Sequence, residues 1–153
     1  MRVTLSDTAR QYIALFEDVT GATARDCLVH DADVERDGEP PSENEKRVTF
    51  LVAAGEMGQA IGPGGRRVRE VEEKLGRTVT LVEDADTPEA FVANALAPAV
   101  VNHVTVSEQN DRVAYVEVDA ADRGVAIGVD GRNIRIAREL ARRHWDLDDI
   151  QLT

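Results

Sequence analysis

Two glycine-rich stretches, each followed directly by arginine, are the parts of this 153-residue chain best suited to bind a ligand. They are AIGPGGRRVR at residues 60–69 and AIGVDGRNIR at residues 126–135. A glycine turn that leads into a helix presents unpaired backbone N–H groups at the positive end of the helix dipole, which suits an anion. Because glycine has no Cβ, an anionic backbone can also approach the turn closely. The pattern therefore predicts binding of a negatively charged chain.

Catalysis and metal binding find little support in the sequence. A nucleotide-hydrolysing P-loop needs Lys followed by Ser or Thr after its last glycine, and both stretches have arginine there. The three histidines, His30, His103 and His144, have no visible Cys or Ser partner. The single cysteine, Cys27, excludes an internal disulfide, and no Cys/His cluster has the spacing of a zinc site. We therefore expect a protein that is not an enzyme and that holds neither a metal nor a cofactor.

The charge of the chain is strongly acidic but unevenly distributed. Net charge is −11, and only Lys46 and Lys74 among the 18 basic residues are lysines. Such a composition predicts a protein kept soluble in very high salt, although a partner with a basic surface would also explain it. Residues 132–143, in contrast, hold five arginines and one glutamate. Because an acidic chain repels phosphate, these arginines decide whether a nucleic acid can bind.

The arginines after each glycine turn are spaced for one face of a helix. Arg132, Arg135, Arg138 and Arg142 recur at helical spacing, opposite a predicted buried stripe of Ile134, Ala137 and Ala141. They predict a basic ridge that begins at the second turn. A smaller ridge is predicted after the first turn, from Arg66, Arg67 and Arg69.

The apolar residues are sufficient for a core and too scattered for a membrane span. No apolar run approaches the roughly 20 residues that cross a bilayer, and the N-terminus has no signal-peptide stretch. We expect a cytoplasmic protein without a membrane partner.

An offset of 66 residues aligns the two halves of the chain, which indicates an internal duplication. Each half is predicted to run helix, strand, strand, short helix, glycine turn, long helix, strand. Ser6 and Thr87 are the expected N-caps of the two opening helices, and the short helices are expected at residues 57–61 and 123–127. The first half also carries an acidic segment at residues 31–45, predicted as a solvated loop or disordered connector, with an acidic docking site for a basic partner as the alternative.

The two turns, in this tandem arrangement, resemble a known family. Gly62-Pro63-Gly64-Gly65 and Gly128-Val129-Asp130-Gly131, each after Ala-Ile, resemble the Gly-x-x-Gly loops of KH domains, which clamp single-stranded nucleic acid. The extra helix and strand ahead of each core resemble the type II arrangement. The spacing, with the strings IGPGGRRVREVEEKLG and AIGVDGRNIRIARELA, resembles the paired KH domains of the archaeal NusA transcription termination/antitermination family.

This resemblance implies an α+β fold of two tandem type II KH domains, at residues 1–83 and 84–153. Each domain is expected to be a three-stranded mixed sheet packed with helices on one face. The implied function is binding of single-stranded RNA, the nascent transcript, by a monomer acting in transcription elongation, termination or antitermination. The expected RNA-binding residues are Ile61, Gly62, Pro63, Gly64, Gly65, Arg66, Arg67, Arg69, Ile127, Gly128, Val129, Asp130, Gly131, Arg132, Asn133, Arg135, Arg138 and Arg142.

Two alternatives remain open from the sequence. The KH pair could serve ribosome assembly, or it could be a non-catalytic scaffold for protein docking. Bacterial members of the family also carry a polymerase-binding domain and an S1 domain, for which 153 residues leave no room beside two KH domains. The sequence therefore leaves open whether RNA polymerase is a second partner.

Overall fold

The computed structural model describes residues 3–30 and 46–153 of the chain. The acidic segment at residues 31–45, predicted as a solvated loop, lies outside the described residues. The chain divides into two compact units, Thr4–Asp84 and Ala85–Thr153. Each unit has its own sheet and its own helices.

The predicted order of elements is confirmed in both units. The described residues of the first unit form α1 (Asp7–Thr20), β1 (Ala24–His30), β2 (Arg47–Val52), α2 (Met57–Ile61), α3 (Arg66–Leu75) and β3 (Thr78–Glu83). The second unit forms α4 (Pro88–Ala95), β4 (Val101–Ser107), β5 (Val113–Val118), α5 (Arg123–Ile127), α6 (Arg132–Trp145) and β6 (Asp149–Leu152). A 3₁₀ turn, Pro63–Gly65 or Val129–Gly131, joins each short helix to the long helix that follows.

Both sheets have the same mixed topology. In the first, β1 pairs antiparallel with β2, and β2 pairs parallel with β3. In the second, β4, β5 and β6 pair in the same way. The predicted α+β fold with two three-stranded mixed sheets is confirmed. A parallel pair of strands needs a crossover connection. In each unit the short helix, the glycine turn and the long helix form that crossover.

Local capping signals set the ends of the two opening helices. Ser6 caps α1 by accepting a hydrogen bond at Oγ from the backbone N–H of Ala9 at 3.1 Å. Gly21 ends α1 in the left-handed region at φ 71°. Thr87 caps α4 through the N–H of Ala90 at 3.2 Å. Both predicted N-caps are confirmed.

The core of the first unit is built around two phenylalanines. The rings of Phe16 on α1 and Phe50 on β2 are stacked with centroids 4.4 Å apart, and both side chains are fully buried. Val71 of α3 is also fully buried in this cluster, while Leu75 packs against it in part. The apolar side of α3 therefore faces the sheet, and Arg66 and Arg69 are exposed.

The core of the second unit is formed by alternate residues of β5 and one side of α6. The inward residues of β5 are buried, and so is the stripe of α6: Ala114, Val116, Val118, Ile134, Ala137 and Ala141. Burial of this stripe fixes the rotation of α6 about its axis. It therefore also fixes which residues α6 presents to solvent.

Equivalent carboxylates anchor the starts of the two short helices. Glu56 accepts a hydrogen bond from the backbone N–H of Thr23 at 3.0 Å. Asp122, 66 residues later, accepts one from the N–H of Val100 at 2.8 Å. The internal duplication thus extends to the hydrogen bonds that hold the crossover against the sheet.

The single thiol lies in the first core and should be chemically inert. Burial raises the pKa of Cys27 to about 12, and the neighbouring Asp26 carboxylate adds to the shift. We expect no reaction with an aromatic disulfide reagent at pH 8 in the folded protein and full reaction after denaturation. An unburied thiol has a pKa of about 8.5, so between about pH 8.5 and pH 12 the unfolded chain binds fewer protons than the folded one. The free energy of unfolding should therefore fall as pH rises through this range. Rapid labelling of the native protein would contradict this environment.

Candidate nucleic-acid interface

The first glycine of each turn adopts a conformation reserved for glycine. Gly62 has φ 74° and ψ 169°, and Gly128 has φ 80° and ψ 172°. A Cβ built on Gly62 would lie 2.7 Å from Cγ of Arg67, and one on Gly128 would lie 2.8 Å from Cβ and the backbone N of Asn133. Both the backbone angles and the close approach therefore require glycine.

The third and fourth positions of the two turns are also alike. Gly64 has φ 61° and ψ 19°, and Asp130 holds the same left-handed conformation at φ 56° and ψ 25°. Gly65 and Gly131 follow at φ 77° and φ 73°, and no atom lies within 4 Å of a Cβ built on either. The two turns thus share one backbone shape although one carries a carboxylate.

Both turns are accessible and open onto uncapped helix starts. Pro63 and Val129, at the second position of each turn, are exposed, and Val129 retains 71% of its accessible surface. Gly65 and Gly131 are the N-cap residues of α3 and α6, and no side chain caps either helix. The first turns of two helices of 10 and 14 residues are therefore available to an anion.

The arginines nearest the turns are free to reach a ligand. Across residues 3–30 and 46–153, neither Arg66 nor Arg132 has an ion-pair or hydrogen-bonding partner for its guanidinium, and both open their helices. Arg142 is exposed and equally unpaired in that part of the chain, but it lies about 15 Å further along α6 at 1.5 Å per residue.

The next arginine of each helix folds back on its own turn. Arg69 donates from Nη2 to the carbonyl of Gly64 at 2.6 Å. Arg135 donates from Nε to the carbonyl of Gly131 at 3.3 Å. Both side chains are exposed, so each guanidinium keeps further donors beside the turn.

Arg138 is bonded to the neighbouring strand, although its side chain remains 40% exposed. Its Nε lies 2.9 Å from Oδ1 of Asp149, and its Nε and Nη2 donate to the carbonyl of Ile150 at 3.2 and 3.0 Å. Arg138 thus ties α6 to β6. The sequence carried no local sign of this contact, because strand pairing brings Asp149 to the helix.

Arg67 and Asn133 contact backbone carbonyls of their own unit. Arg67 donates from Nη1 to the carbonyl of Gln59 at 2.9 Å. The amide Nδ2 of Asn133 lies 3.1 Å from the carbonyl of Ala126 and 3.3 Å from that of Leu96. The structure therefore places these two predicted RNA-binding residues beside the turns, with side-chain donors bonded to backbone carbonyls.

Apolar side chains flank both turns. Ile61 and Ile127, the last residues of α2 and α5, are each 39% exposed. Val125, one turn before Gly128, is 43% exposed and was not among the residues predicted from the sequence. Large exposed aliphatic groups beside a turn with free N–H groups could contact the flat faces of bases.

The described part of the chain lacks both a metal-ligand cluster and a membrane-spanning helix. There, no group of three or more His, Cys, Asp or Glu side chains is placed to hold a metal ion. No described helix has the length and apolar composition needed to cross a membrane.

Comparison with known proteins agrees with this architecture. Residues 88–153 match the family described as the NusA-like second KH domain. The "Probable transcription termination protein NusA" of Halococcus morrhuae is 61% identical over 152 residues, covering 99% of both chains. The protein of the same description from Halobacterium salinarum is 58% identical over 153 residues, covering 100% of both. The crystal structure of APE1850 has a TM-score of 0.77 at 31% identity and covers 97% of this chain and 100% of that one.

The relatives also bear on the composition. Both curated relatives come from halophilic archaea, which confirms the halophilic character predicted from the acidic, lysine-poor sequence. Identity above one half over essentially the whole length of these proteins exceeds what a shared fold alone would give. The chain belongs to the NusA family of KH-domain proteins.

Proposed function

We propose that this chain binds single-stranded RNA through the turns at residues 62–65 and 128–131, and that it acts in the cytoplasm as a non-catalytic factor in transcription elongation, termination or antitermination. One observation carries the proposal. Two exposed turns of the same backbone shape each open a long helix whose first residue is an unpaired arginine. The transcription role follows the description of the relatives as transcription termination proteins.

In this proposal each turn holds the sugar-phosphate backbone. The uncapped N–H groups at the starts of α3 and α6 donate hydrogen bonds to a phosphate. Arg66 or Arg132 adds a bidentate, charge-assisted hydrogen bond. Bases then lie against Ile61 in the first unit and against Ile127 and Val125 in the second. Neither stretch contains an aromatic residue, so stacking should contribute less than it does on an aromatic sheet surface.

High salt makes close contacts decisive. At 1 M salt the Debye length is about 3 Å, so long-range attraction between arginine and RNA nearly vanishes. Binding that relied on released counterions would also weaken steeply. Short hydrogen bonds from a preformed turn lose less, because they act within that distance.

The two turns should differ in strength, because Asp130 places a carboxylate where Gly64 has none. Replacing Asp130 with asparagine removes the charge and keeps a side chain that tolerates the left-handed region. We expect RNA to bind about threefold to tenfold more tightly, as for one like-charge repulsion near a surface. Fluorescence anisotropy with a single-stranded RNA at fixed KCl measures the change. Unaltered affinity would mean that this carboxylate points away from the RNA.

The proposal is tested by placing carboxylates in the turns. Gly64→Asp and Val129→Asp should each lower RNA affinity at least tenfold, since each sets a negative charge beside a bound phosphate. The first substitution fits the backbone, because Asp130 already adopts that conformation and no atom lies within 4 Å of a Cβ at Gly64.

Gly76→Asp is the matched control for Gly64→Asp. Gly76 ends α3 at φ 65° with open space around it, and Asp146 ends α6 at φ 55°. This control adds the same charge at the far end of the helix and should leave RNA affinity within about twofold, as expected of a screened surface charge. Equal affinity of all variants would instead favour a protein-docking scaffold. Co-purification with RNA polymerase or with ribosomal particles then separates transcription from ribosome assembly.

A further inference from the structure

The contacts of Asn133 are the starting point, because its amide is used inside the second unit. Nδ2 lies within 3.1 to 3.4 Å of three carbonyl oxygens, those of Leu96, Val125 and Ala126. Two of these carbonyls belong to α5, and the third follows the end of α4. An amide has two N–H donors, so three carbonyl neighbours occupy both of them.

The first unit makes the same contact with a different residue type. The offset of 66 pairs Asn133 with Arg67 and Val125 with Gln59, and Arg67 donates to the carbonyl of Gln59 at 2.9 Å. In both units the second residue of the long helix therefore bonds the third residue of the short helix. Since asparagine and arginine reach the same carbonyl, the shared property is the contact and not the side-chain charge.

This contact spans the glycine turn and fixes both of its ends. The short helices have five residues each, too few to be stable alone, and their last carbonyls lack helical partners. The side chains of Arg67 and Asn133 cross directly over Gly62 and Gly128, where a Cβ would lie within 3 Å of them. We call the contact of Arg67 or Asn133 with the short helix the brace. It sets the distance between the short and the long helix. It thereby also sets the direction of the turn N–H groups.

We infer that Asn133 and Arg67 are positioning residues: they hold the turns in the shape that binds RNA and do not themselves account for the recognition of RNA. The inference rests on the proposed RNA-binding function. It reassigns two residues that the sequence placed among the RNA contacts. The contacts with phosphate are left to the turn N–H groups, Arg66 and Arg132.

Asn133→Leu tests the brace without a change of charge, and leucine keeps the same number of side-chain heavy atoms and the same branching at Cγ. In the RNA-free protein, hydrogen exchange should accelerate about tenfold at the amides of Gly128 and Gly131. This factor corresponds to the local stability that one net hydrogen bond contributes. These amides bond the carbonyls of Gly124 and Gly128 at 2.9 and 3.1 Å. Exchange in the first turn should not change, which provides the control within the same sample.

RNA affinity of Asn133→Leu should also fall about tenfold, because the turn N–H groups lose the direction in which they meet a phosphate, at a cost of about one hydrogen bond. Lost affinity with unchanged exchange would show that Asn133 contacts RNA directly and would overturn the inference. Accelerated exchange with unchanged affinity would overturn it as well, and so would no effect on either.

The first turn supplies a rescue test. Arg67→Asn and Arg67→Leu remove the same charge, but only asparagine keeps a donor of the kind used in the second unit. Arg67→Asn should bind RNA about fivefold more tightly than Arg67→Leu, a difference within the range of one net hydrogen bond. Equal affinities overturn the inference for this turn. If the wild type and Gly64→Asp bind RNA alike, the proposed function fails, while exchange in the free protein still decides whether the brace exists.

Discussion

Gly128→Ala is expected to destabilise the second unit by about 3 kcal/mol and to remove RNA binding by its turn, because no residue with a Cβ fits there. The backbone lies at φ 80° and ψ 172°, and the new Cβ would meet the backbone N of Asn133 at 2.8 Å. That neighbour is main chain within α6 and cannot swing aside. Chemical denaturation at fixed KCl measures the loss.

Gly131→Ala is the matched comparison within the same turn. Gly131 has φ 73° and ψ 15°, and no atom lies within 4 Å of a Cβ built there. Its replacement should cost about 1 kcal/mol, the strain of a left-handed alanine. If both substitutions destabilise the protein equally, the close crossing of Asn133 over the turn is wrong.

The second large effect is expected from the unpaired arginines. The double substitution Arg66→Gln and Arg132→Gln should weaken RNA binding about 100-fold, because each site loses a charged hydrogen bond worth about 1.5 kcal/mol. The free energy of unfolding should change little, since both side chains lack partners in the described part of the chain. Anisotropy and denaturation on the same samples separate the two properties.

Arg138→Gln should show the opposite pattern. It removes the ion pair with Asp149 and the bonds to the carbonyl of Ile150, at a cost of about 1 kcal/mol in stability for these partly exposed groups. RNA affinity should stay within about threefold, the size expected for a nearby charge acting through water. If Arg138→Gln lowered RNA affinity as much as the double substitution, Arg138 would be a direct RNA contact.

These contrasting arginines show where prediction from the sequence ends. Helix starts are local signals, so Ser6 and Thr87 predicted two of them, and both five-residue helices begin and end at the predicted residues. The buried stripe of α6 was likewise readable from spacing. The order of elements along the chain followed from the duplicated pattern, and the three-stranded mixed sheets followed from the family resemblance.

Side-chain direction was not predictable in the same way. Arg138 and Arg142 are four residues apart on one helix face, yet only Arg138 lies against a carboxylate, because β6 pairs beside it. The inward contacts of Asn133 depend on where the C-terminal end of α4 lies, which no local pattern encodes. Charge and spacing therefore identified the surface but not the direction of each residue on it.

The most direct test of the central claim is a two-dimensional NMR titration of the protein with a short single-stranded RNA in high KCl. The turns at residues 62–65 and 128–131 are predicted to show the largest amide shifts, together with the guanidinium signals of Arg66 and Arg132. Smaller changes are expected at Ile61 and Ile127. RNA-dependent shifts confined to the sheet strands, with both turns unmoved, would contradict the account.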